Sequence, residues 1–501
     1  MAVEAELKFH VPARHLAAIA EGRVPSGKVE ARSVGDLLST YFDTARCKLK
    51  RNGLTLRVRR DGHKHVQTVK SANGTEFGRG EWESEIKDDA PHLGKADGTP
   101  LEPIASKKLR RKLKPVFETA VHRITLPIRT RRSEIELAVD RGRIIAGHRW
   151  SPIAELELEL KRGRPADLFR IAKTLERKSQ AELDLRSKSD RGYALARGEQ
   201  HPVMAADGIV LDVDMSAGDA FRIVARATAR HFCGNANAVR SGDAEGVHQM
   251  RVGLRRLRAA ISLFSGMLSG TGREKVKSEL KWLTKELAPA REIDVFVKEN
   301  IEPASRDALL RRGGKAIRRE FSERRERAFE RARKAVCSER FRALLIDTLQ
   351  WIESGPTVAP NQGKTPIGKF ARDLLHRRIK KVRKEGRHLD RMSVRERHKF
   401  RIGIKKLRYA IEFFDSLFAD KGEQKQLARL SKHLKKIQDA LGSLNDFVAH
   451  HEMAVDAALH APRRNGRAGA FASGVIVGRE DRAVRPLMAA AGREVRALEK
   501  F

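Results

Sequence analysis

Acidic side chains alternate with apolar ones along two segments of the N-terminal region. One segment is "AELELELKRG", whose charged positions are Glu155, Glu157, Glu159 and Lys161; the other is "EAELKF", whose charged positions are Glu4, Glu6 and Lys8. Because successive side chains of a β-strand point to opposite faces, each segment would display its charged groups on one side of a sheet. Carboxylates aligned in this way repel one another unless cations lie among them. The spacing therefore indicates strand faces that could hold a hard divalent cation.

Other segments of the same region show similar alternation. Their charged positions are Arg57 and Arg59 in "LRVRR", Lys70 in "VQTVK", Glu81, Glu83 and Glu85 in "EWESEI", Arg123 in "VHRITL", and Glu134 and Glu136 in "SEIELAVD". A one-sided sheet whose charged face meets water is the simpler explanation for any one strand. Water-facing strands usually mix Lys, Thr, Ser and Gln, however, whereas these strands are nearly pure in Glu or in Arg. If the sheet closes with these faces inward, carboxylates and cations would together suit a metal-bound oligophosphate, and the outward apolar faces would need covering helices.

A second pattern lies in the C-terminal part, where a basic segment occurs twice. "VHQMRVGLRRLRAAISLF" (247–264) is followed 150 residues later by "RHKFRIGIKKLRYAIEFF" (397–414). At about 100° per residue, the basic positions of each copy share one arc of a helix. They are His248, Arg251, Arg255 and Arg258 in the first copy and His398, Arg401, Lys405 and Arg408 in the second. Beside this arc each helix has an apolar face, formed by Leu254, Leu257, Ile261 and Phe264 and by Ile404, Leu407, Ile411 and Phe414. A solvated charged face would explain one such helix, but two copies related by duplication favour a polyanion-binding groove.

Composition agrees with an anionic partner. The chain has 501 residues, with 103 Lys and Arg against 65 Asp and Glu, so its formal net charge is +38. Such a balance favours nucleic acid, anionic lipid or phosphate polymers. Only 5% of the residues are aromatic, and the sequence lacks zinc-finger spacing, an RNP sequence and a KH-type glycine loop. Binding of phosphate groups is therefore expected, whereas nucleic acid is disfavoured as the partner.

Length and composition predict two domains. Residues 1–200 are predicted to form strands, 201–216 a linker, and 217–501 a helical domain whose halves, about 217–352 and 367–460, are divided by "ESGPTVAPNQGKTP". No apolar stretch approaches the roughly 20 residues of a membrane helix, and the N-terminus does not resemble a secretory signal. Cys47, Cys233 and Cys337 lack metal-ligand spacing, which suggests a reducing cytoplasm.

The N-terminal motifs, taken in order, resemble a CYTH domain, the fold of the triphosphate tunnel metalloenzymes. They are Glu4-x-Glu6-x-Lys8, "YFDT" (41–44), "LRVRR" (56–60), "VKSA" (69–72), "RGEWESEI" (79–86), "ELELELKRG" (155–163) and "SKSDRGYAL" (187–195). The two basic segments, with "AREIDVF" (290–296) and "IQDALGSLNDF" (437–447), resemble a CHAD domain. This second resemblance extends over about 217–460.

The resemblance implies an α+β chain: an eight-stranded antiparallel β-barrel with flanking helices that encloses a tunnel, followed by an all-α domain of two pseudo-repeated bundles. It implies hydrolysis of inorganic tripolyphosphate with Mg²⁺ or Mn²⁺ in the tunnel and binding of inorganic polyphosphate by the two basic segments. The metal ligands would be Glu4, Glu6, Glu155, Glu157 and Glu159, and Lys8, Glu157 and Glu159 would be catalytic. The triphosphate would be bound by Arg57, Arg59, Lys70, Arg123, Lys188 and Arg191. Glu81, Glu83 and Glu85 would bind a second metal or pair with Arg57 and Arg59.

Three alternatives stay open at the level of sequence. An adenylate cyclase and a thiamine triphosphatase would bind a triphosphate through the same tunnel residues. Both are disfavoured because no aromatic pair offers a stacking surface for a base or a thiamine ring, and because a polyphosphate-binding domain suits an inorganic chain. A non-enzymatic polyphosphate-binding scaffold is disfavoured by the full set of metal-binding carboxylates.

Overall fold

The chain forms two compact units. The computed structural model describes residues 5–21, 28–29, 32–71, 80–270, 272–354, 357–358, 363–459 and 466–501. One unit contains residues 1–204 and 337–355, and the other contains residues 205–336 and 356–501. Among the helices of these described ranges, none combines the length and the apolar character that a membrane-spanning segment needs.

The first unit is built on one antiparallel sheet. Its strands are β1 Ala5–His10, β2 Lys28–Val29, β3 Ser33–Asp43, β4 Leu54–Asp61, β5 Lys64–Ser71, β6 Gly80–Ile86, β7 Lys114–Arg129, β8 Glu134–Ala146, β9 Arg149–Arg162 and β10 Glu182–Leu183. Nine of them pair in the order β10-β1-β9-β8-β7-β3-β4-β5-β6, and β2 pairs with β7. The prediction of an antiparallel sheet in an α+β chain is confirmed, and the pairing path holds nine strands instead of eight.

Helices occur in both units, and the second unit also contains the short strands β11 Leu268–Ser269 and β12 Thr357–Val358. In chain order the helices are α1 Ala13–Ala20, α2 Lys48–Arg51, α3 Lys107–Arg110, α4 Pro165–Ser179, α5 Lys188–Ala196, α6 Ala217–Cys233, α7 Ala236–Arg240, α8 Ala244–Leu263, α9 Gly272–Phe296, α10 Glu302–Arg306, α11 Arg311–Cys337, α12 Glu339–Glu353, α13 Ile367–Gly386, α14 Val394–Phe414, α15 Lys421–Leu459 and α16 Gly466–Ala497. The C-terminal part of the chain is helical, as predicted.

The apolar faces of the strands are covered by helices. On β1 and β9 the apolar side chains Leu7, Phe9, Leu156 and Leu158 are at most 1% exposed. Helices α1 and α4 lie against β9. Helix α4 begins with Pro165 in its first turn, where proline costs no hydrogen bond. The opposite, charged faces of the strands are therefore left to form a common surface.

Helix α12 belongs to the first unit, although the chain reaches it from the second. It packs on α4, where Lys173 Nζ lies 2.6 Å from Asp347 Oδ1. Arg342 Nε also donates a hydrogen bond of 2.8 Å to the buried carboxylate of Glu176. The composition of this segment resembles that of its neighbours in the chain and therefore predicts that it is part of the helical domain.

The second unit contains the duplication that the sequence indicates. The residues that precede α6 and α13 pair with each other through a bridge between Ser216 and Pro366, and these two positions are 150 residues apart. The apolar faces of α8 and α14 are buried, as predicted, since all eight of their named side chains are at most 5% exposed. Phe264 and Phe414 meet at a ring distance of 5.9 Å. The two copies of the basic segment thus share one core.

Candidate active site and candidate polyanion-binding surface

Strand pairing brings carboxylates from two strands together on the charged face of the sheet. In the register of β8 and β9, Asp140 lies opposite Glu155. In the register of β1 and β9, Lys8 lies opposite Glu157. Asp140, Glu155 and Glu157, called here the inner carboxylates, each offer an oxygen within 4.8 Å of the others. Asp140 was not singled out from the sequence, although it is on the same strand face as Glu134 and Glu136.

The ammonium group of Lys188 lies among the inner carboxylates. Its Nζ is 2.7 Å from Asp140, 2.9 Å from Glu155 and 2.8 Å from Glu157. Burial alone would lower the pKa of Lys188, but these three carboxylates outweigh it and raise the pKa well above its ordinary value. A cation is therefore strongly favoured at this position.

Three further cations surround the inner carboxylates. Arg123 donates two hydrogen bonds of 2.7 Å to Asp140 and also contacts Glu157. Lys8 Nζ is 2.9 Å from Glu157, and Arg191 pairs with Glu155. Burial opposes ionisation of Glu157, but Lys188, Lys8 and Arg123 hold its pKa well below its ordinary value. This carboxylate is thus charged throughout the neutral pH range.

A second group of carboxylates lies along the same face, toward one end of the strands. Glu159 lies opposite Glu6 on one side and Glu136 on the other; we call these three the outer carboxylates. Lys161 Nζ is 2.6 Å from Glu159, and Lys8 Nζ is 3.6 Å from Glu6. Of the predicted metal ligands, Glu155 and Glu157 thus join Asp140, whereas Glu6 and Glu159 form the outer group. Glu4 lies outside the described residues.

The predicted triphosphate-binding residues of β4 and β5 form a cationic region. Arg57 donates a hydrogen bond of 3.1 Å to Thr68, and its guanidinium is 3.4 Å from Glu81. Lys70 Nζ lies 2.6 Å from the same carboxylate. The β6 carboxylates were expected either to bind a second metal or to pair with Arg57 and Arg59. Glu81 pairs with Arg57 and also with Lys70.

Arg59 is the cation of this region that is least neutralised. Within the described ranges no carboxylate lies within ion-pair distance of its guanidinium, and its Nε is buried without a hydrogen-bond partner. Burial lowers the pKa of Arg59, and the neighbouring charges of Arg57 and Arg123 lower it further. Burial and Arg57 likewise lower the pKa of Lys70 in spite of Glu81. An anion bound here would relieve this repulsion.

Two of the sequence motifs hold α5 in place. Asp43 of "YFDT" is fully buried and accepts a hydrogen bond of 2.8 Å from the hydroxyl of Tyr193. At the start of α5, Ser187 and Asp190 form a capping box. Lys50 pairs with Asp190 and so ties α2 to the same helix end. These contacts fix the backbone from which Lys188 and Arg191 reach the carboxylates.

The inner carboxylates fit a divalent metal ion. They supply three oxygen ligands at close quarters, and hard cations such as Mg²⁺ and Mn²⁺ prefer oxygen. The position of the Lys188 ammonium shows that the electrostatic field there favours positive charge.

In the second unit, the basic residues of each copy pack beside the helix that follows it. Arg251 on α8 donates a hydrogen bond of 3.2 Å to the carbonyl oxygen of Thr284 on α9. On α14, Arg408 donates one of 2.8 Å to Gln438, and His398 lies 3.1 Å from Asn445, both on α15. Helices α9 and α15 therefore orient the cations of α8 and α14.

Four of the predicted basic residues come together from the two copies. Burial lowers the pKa of Lys405 to about 7, with further lowering by Arg401 of its own helix and by Arg255 and Arg251 of α8, against the opposing effect of Asp446. Burial and Arg255 also lower the pKa of Arg251 to about 10. We call Arg251, Arg255, Arg401 and Lys405 the cationic cluster. A bound polyanion would relieve the mutual repulsion of these cations.

The other predicted basic residues lie around this cluster. His248 is half-buried, and burial together with Arg291 lowers its pKa. Arg258 is exposed and adds to a basic group on α13 and α14, where burial, Arg378, Lys381 and Arg258 lower the pKa of Lys406. This last group is not among the residues predicted from the sequence.

Comparisons with known proteins agree with the two-part architecture. Residues 2–193 match the CYTH domain, and residues 223–455 match the CHAD domain. An inorganic triphosphatase of Haemophilus influenzae is 32% identical over 162 residues, which are 31% of this chain and 45% of that protein. The chain therefore spans less than half of this curated relative.

Two solved structures resemble the chain. The CHAD domain of the plant Ricinus communis is 27% identical with a TM-score of 0.50 and covers 59% of this chain and 97% of its own. PptA of Streptomyces chartreusis is 19% identical with a TM-score of 0.43 and covers 56% of this chain and 100% of its own. The two domain matches show that the chain has an N-terminal CYTH domain followed by a C-terminal CHAD domain.

Proposed function

We propose that the CYTH unit hydrolyses inorganic tripolyphosphate with Mg²⁺ or Mn²⁺ and that the CHAD unit binds inorganic polyphosphate. The observation that carries the enzymatic proposal is the charge arrangement on the sheet. Carboxylates suited to a metal and cations suited to phosphate lie on the same face, and Arg59 has no carboxylate partner in the described part of the chain.

The sheet is proposed to curl into a tunnel around these charges. Strands β9 and β4 are four pairings apart, so a flat sheet would separate them by about 19 Å. Helix α5 nevertheless reaches both, since Lys188 contacts Glu157 while the next residue, Ser189, lies 3.2 Å from Thr55 of β4. Curvature of the sheet about α5 accounts for both contacts.

Each group of residues has a role in this proposal. The inner carboxylates would hold the metal, which when bound neutralises charge on phosphate oxygens. Arg57, Arg59 and Lys70 would bind the outer phosphates of the chain, and Arg123 would stabilise the charge that develops on the transferred phosphoryl group. Glu159 would orient a water molecule for in-line attack, while Lys8 keeps Glu157 ionised. No side-chain nucleophile is needed.

The similarity to the Haemophilus influenzae inorganic triphosphatase supports this substrate. Because the match spans 45% of that protein, the substrate requires a direct test. Phosphate release should be measured from tripolyphosphate, thiamine triphosphate and ATP, with Mg²⁺, Mn²⁺ or EDTA, and cyclic AMP should be measured from ATP. We expect metal-dependent release that is fastest from tripolyphosphate. Formation of cyclic AMP, or faster turnover of ATP, would contradict the proposal.

Polyphosphate binding is proposed from the cationic cluster, to which both copies contribute. Binding to the full chain should be measured in EDTA, where hydrolysis stops, with duplex DNA as competitor. The full chain is preferable to a fragment that starts near residue 217, because α12 packs within the first unit. Affinity should fall steeply as salt rises, by analogy with counterion release from nucleic acids. If DNA competes equally well per phosphate, the CHAD unit is a general polyanion binder.

A further inference from the structure

Lys188 occupies the position that a divalent ion would need. Its Nζ lies within 2.9 Å of an oxygen of each inner carboxylate, and each of these carboxylates offers an oxygen within 4.8 Å of the others. An ammonium group and a metal ion cannot both occupy the space between these oxygens. Binding of the metal must therefore be an exchange of one cation for another.

The backbone of α5 keeps Lys188 close to the site during such an exchange. The capping box of Ser187 and Asp190 fixes the first turn, and Arg191, one turn further on, donates a hydrogen bond of 2.6 Å to the carbonyl oxygen of Pro152. The ammonium can therefore leave by rotation of its own side chain while the backbone of α5 stays in place.

The start of α5 also borders the strands that carry the cationic region. Burial raises the pKa of the Tyr41 phenol, but Arg57, Lys70 and Lys188 together lower it below its ordinary value. Ser189, the residue after Lys188, lies 3.2 Å from Thr55 of β4. The start of α5 therefore adjoins the cationic region of β4 and β5. A short rotation would add its charge to the groups that face the phosphates.

We propose that Lys188 is a built-in counter-cation that competes with the divalent metal for the inner carboxylates and is transferred to the substrate side when the metal binds. This inference rests on the metal site of the proposed function. Two consequences follow. Lys188 lowers the affinity for metal in the absence of substrate, and it stabilises the metal-free protein by neutralising three buried or partly buried carboxylates.

The expected effect is large enough to measure. A cation within about 4 Å changes the proton affinity of a carboxylate by roughly 10- to 1,000-fold. A divalent ion competes with Lys188 for the same oxygens, and Lys8, Arg123 and Arg191 remain in the variant. We therefore take the lower end, about a tenfold gain in metal affinity when the charge of Lys188 is removed.

The test is a titration of the EDTA-treated full chain with Mn²⁺, without any phosphate compound, followed by electron paramagnetic resonance or calorimetry. Lys188→Gln should bind Mn²⁺ about tenfold more tightly than the wild type. Lys188→Arg keeps the charge and should show no gain. Lys173→Gln is the matched control, since Lys173 pairs with Asp347 on α12 and the same net charge is removed. Equal or weaker Mn²⁺ binding by Lys188→Gln would overturn the inference.

Two further measurements separate the possible failures. If Asp140→Asn binds Mn²⁺ as the wild type does, the metal site of the proposed function is wrong and this inference fails with it. Thermal unfolding covers the case of a poorly folded variant: Lys188→Gln should be less stable than the wild type in EDTA and should gain more from Mn²⁺. A variant that Mn²⁺ does not restore would contradict the exchange.

Discussion

Polyphosphate binding by the CHAD unit should weaken as the pH rises above 7, because Lys405 loses its proton there. The pKa of Lys405 is about 7 in the unliganded protein, owing to burial and to Arg401, Arg255 and Arg251. A bound polyanion stabilises the charged amine and so raises this pKa. By linkage, the ligand binds the protonated form more tightly, and its affinity falls where the free protein loses the proton.

The magnitude follows from the protonated fraction. With a pKa of about 7, about half of the Lys405 amines are charged at pH 7.0 and about 3% at pH 8.5. If bound polyphosphate keeps the amine fully protonated, affinity should drop about sixteenfold between these two pH values. Burial and Arg291 lower the pKa of His248, which moves its titration away from this window in the free protein.

The assay is a binding titration of long-chain polyphosphate at constant ionic strength and in EDTA. Lys405→Arg keeps its charge at both pH values and should therefore show a nearly flat profile. Lys405→Gln should bind weakly and also without a pH slope. A slope in Lys405→Arg equal to that of the wild type would show that another group titrates and would refute the reasoning.

Three other predictions follow from the described contacts. Glu157→Gln keeps the size of the side chain but removes a charge from the inner carboxylates, so steady-state turnover of tripolyphosphate should fall by about 100-fold; full activity would place the metal elsewhere. Arg251→Glu combined with Arg401→Glu reverses one charge in each copy and should abolish polyphosphate binding in a mobility assay, while tripolyphosphate hydrolysis stays unchanged. Tyr193→Phe removes the hydrogen bond to the buried Asp43 and should lower the free energy of unfolding by about 1.5–3 kcal/mol in denaturant titrations; an unchanged value would mean that this contact does not hold α5.

Which side chains share a strand face was predictable, because successive side chains of a β-strand alternate between two faces. Glu155, Glu157 and Lys8 lie on one face as the alternation indicates. Asp140 was missed because Ala138 interrupts the acidic alternation of β8, and strand register, which decides that Asp140 lies opposite Glu155, depends on long-range pairing. The available signal was that Asp140 keeps the period of two set by Glu134 and Glu136, with Ala138 between them.

The location of α12 could not be predicted for a different reason. Periodicity identifies a helix and its buried face but does not identify the partner of that face. Lys173 of α4 and Arg342 of α12 each form an ion pair between these two helices, and each pair joins segments more than 160 residues apart. Only the folded chain shows that this helix completes the first unit.

The duplicated helices of the CHAD unit have diverged at one position that explains how the cationic cluster is supported. Arg256 of the first copy is 1% exposed, and its guanidinium lies 2.6 Å from Glu412 on α14. The equivalent position of the second copy is Lys406, which is half-buried among Arg258, Arg378 and Lys381. In the first copy this cation joins α8 to α14, whereas in the second copy it is part of the basic surface. Because this ion pair joins α8 to α14, it holds Arg255 and Lys405 close despite their repulsion, and a polyanion that bound between them would meet a site already formed.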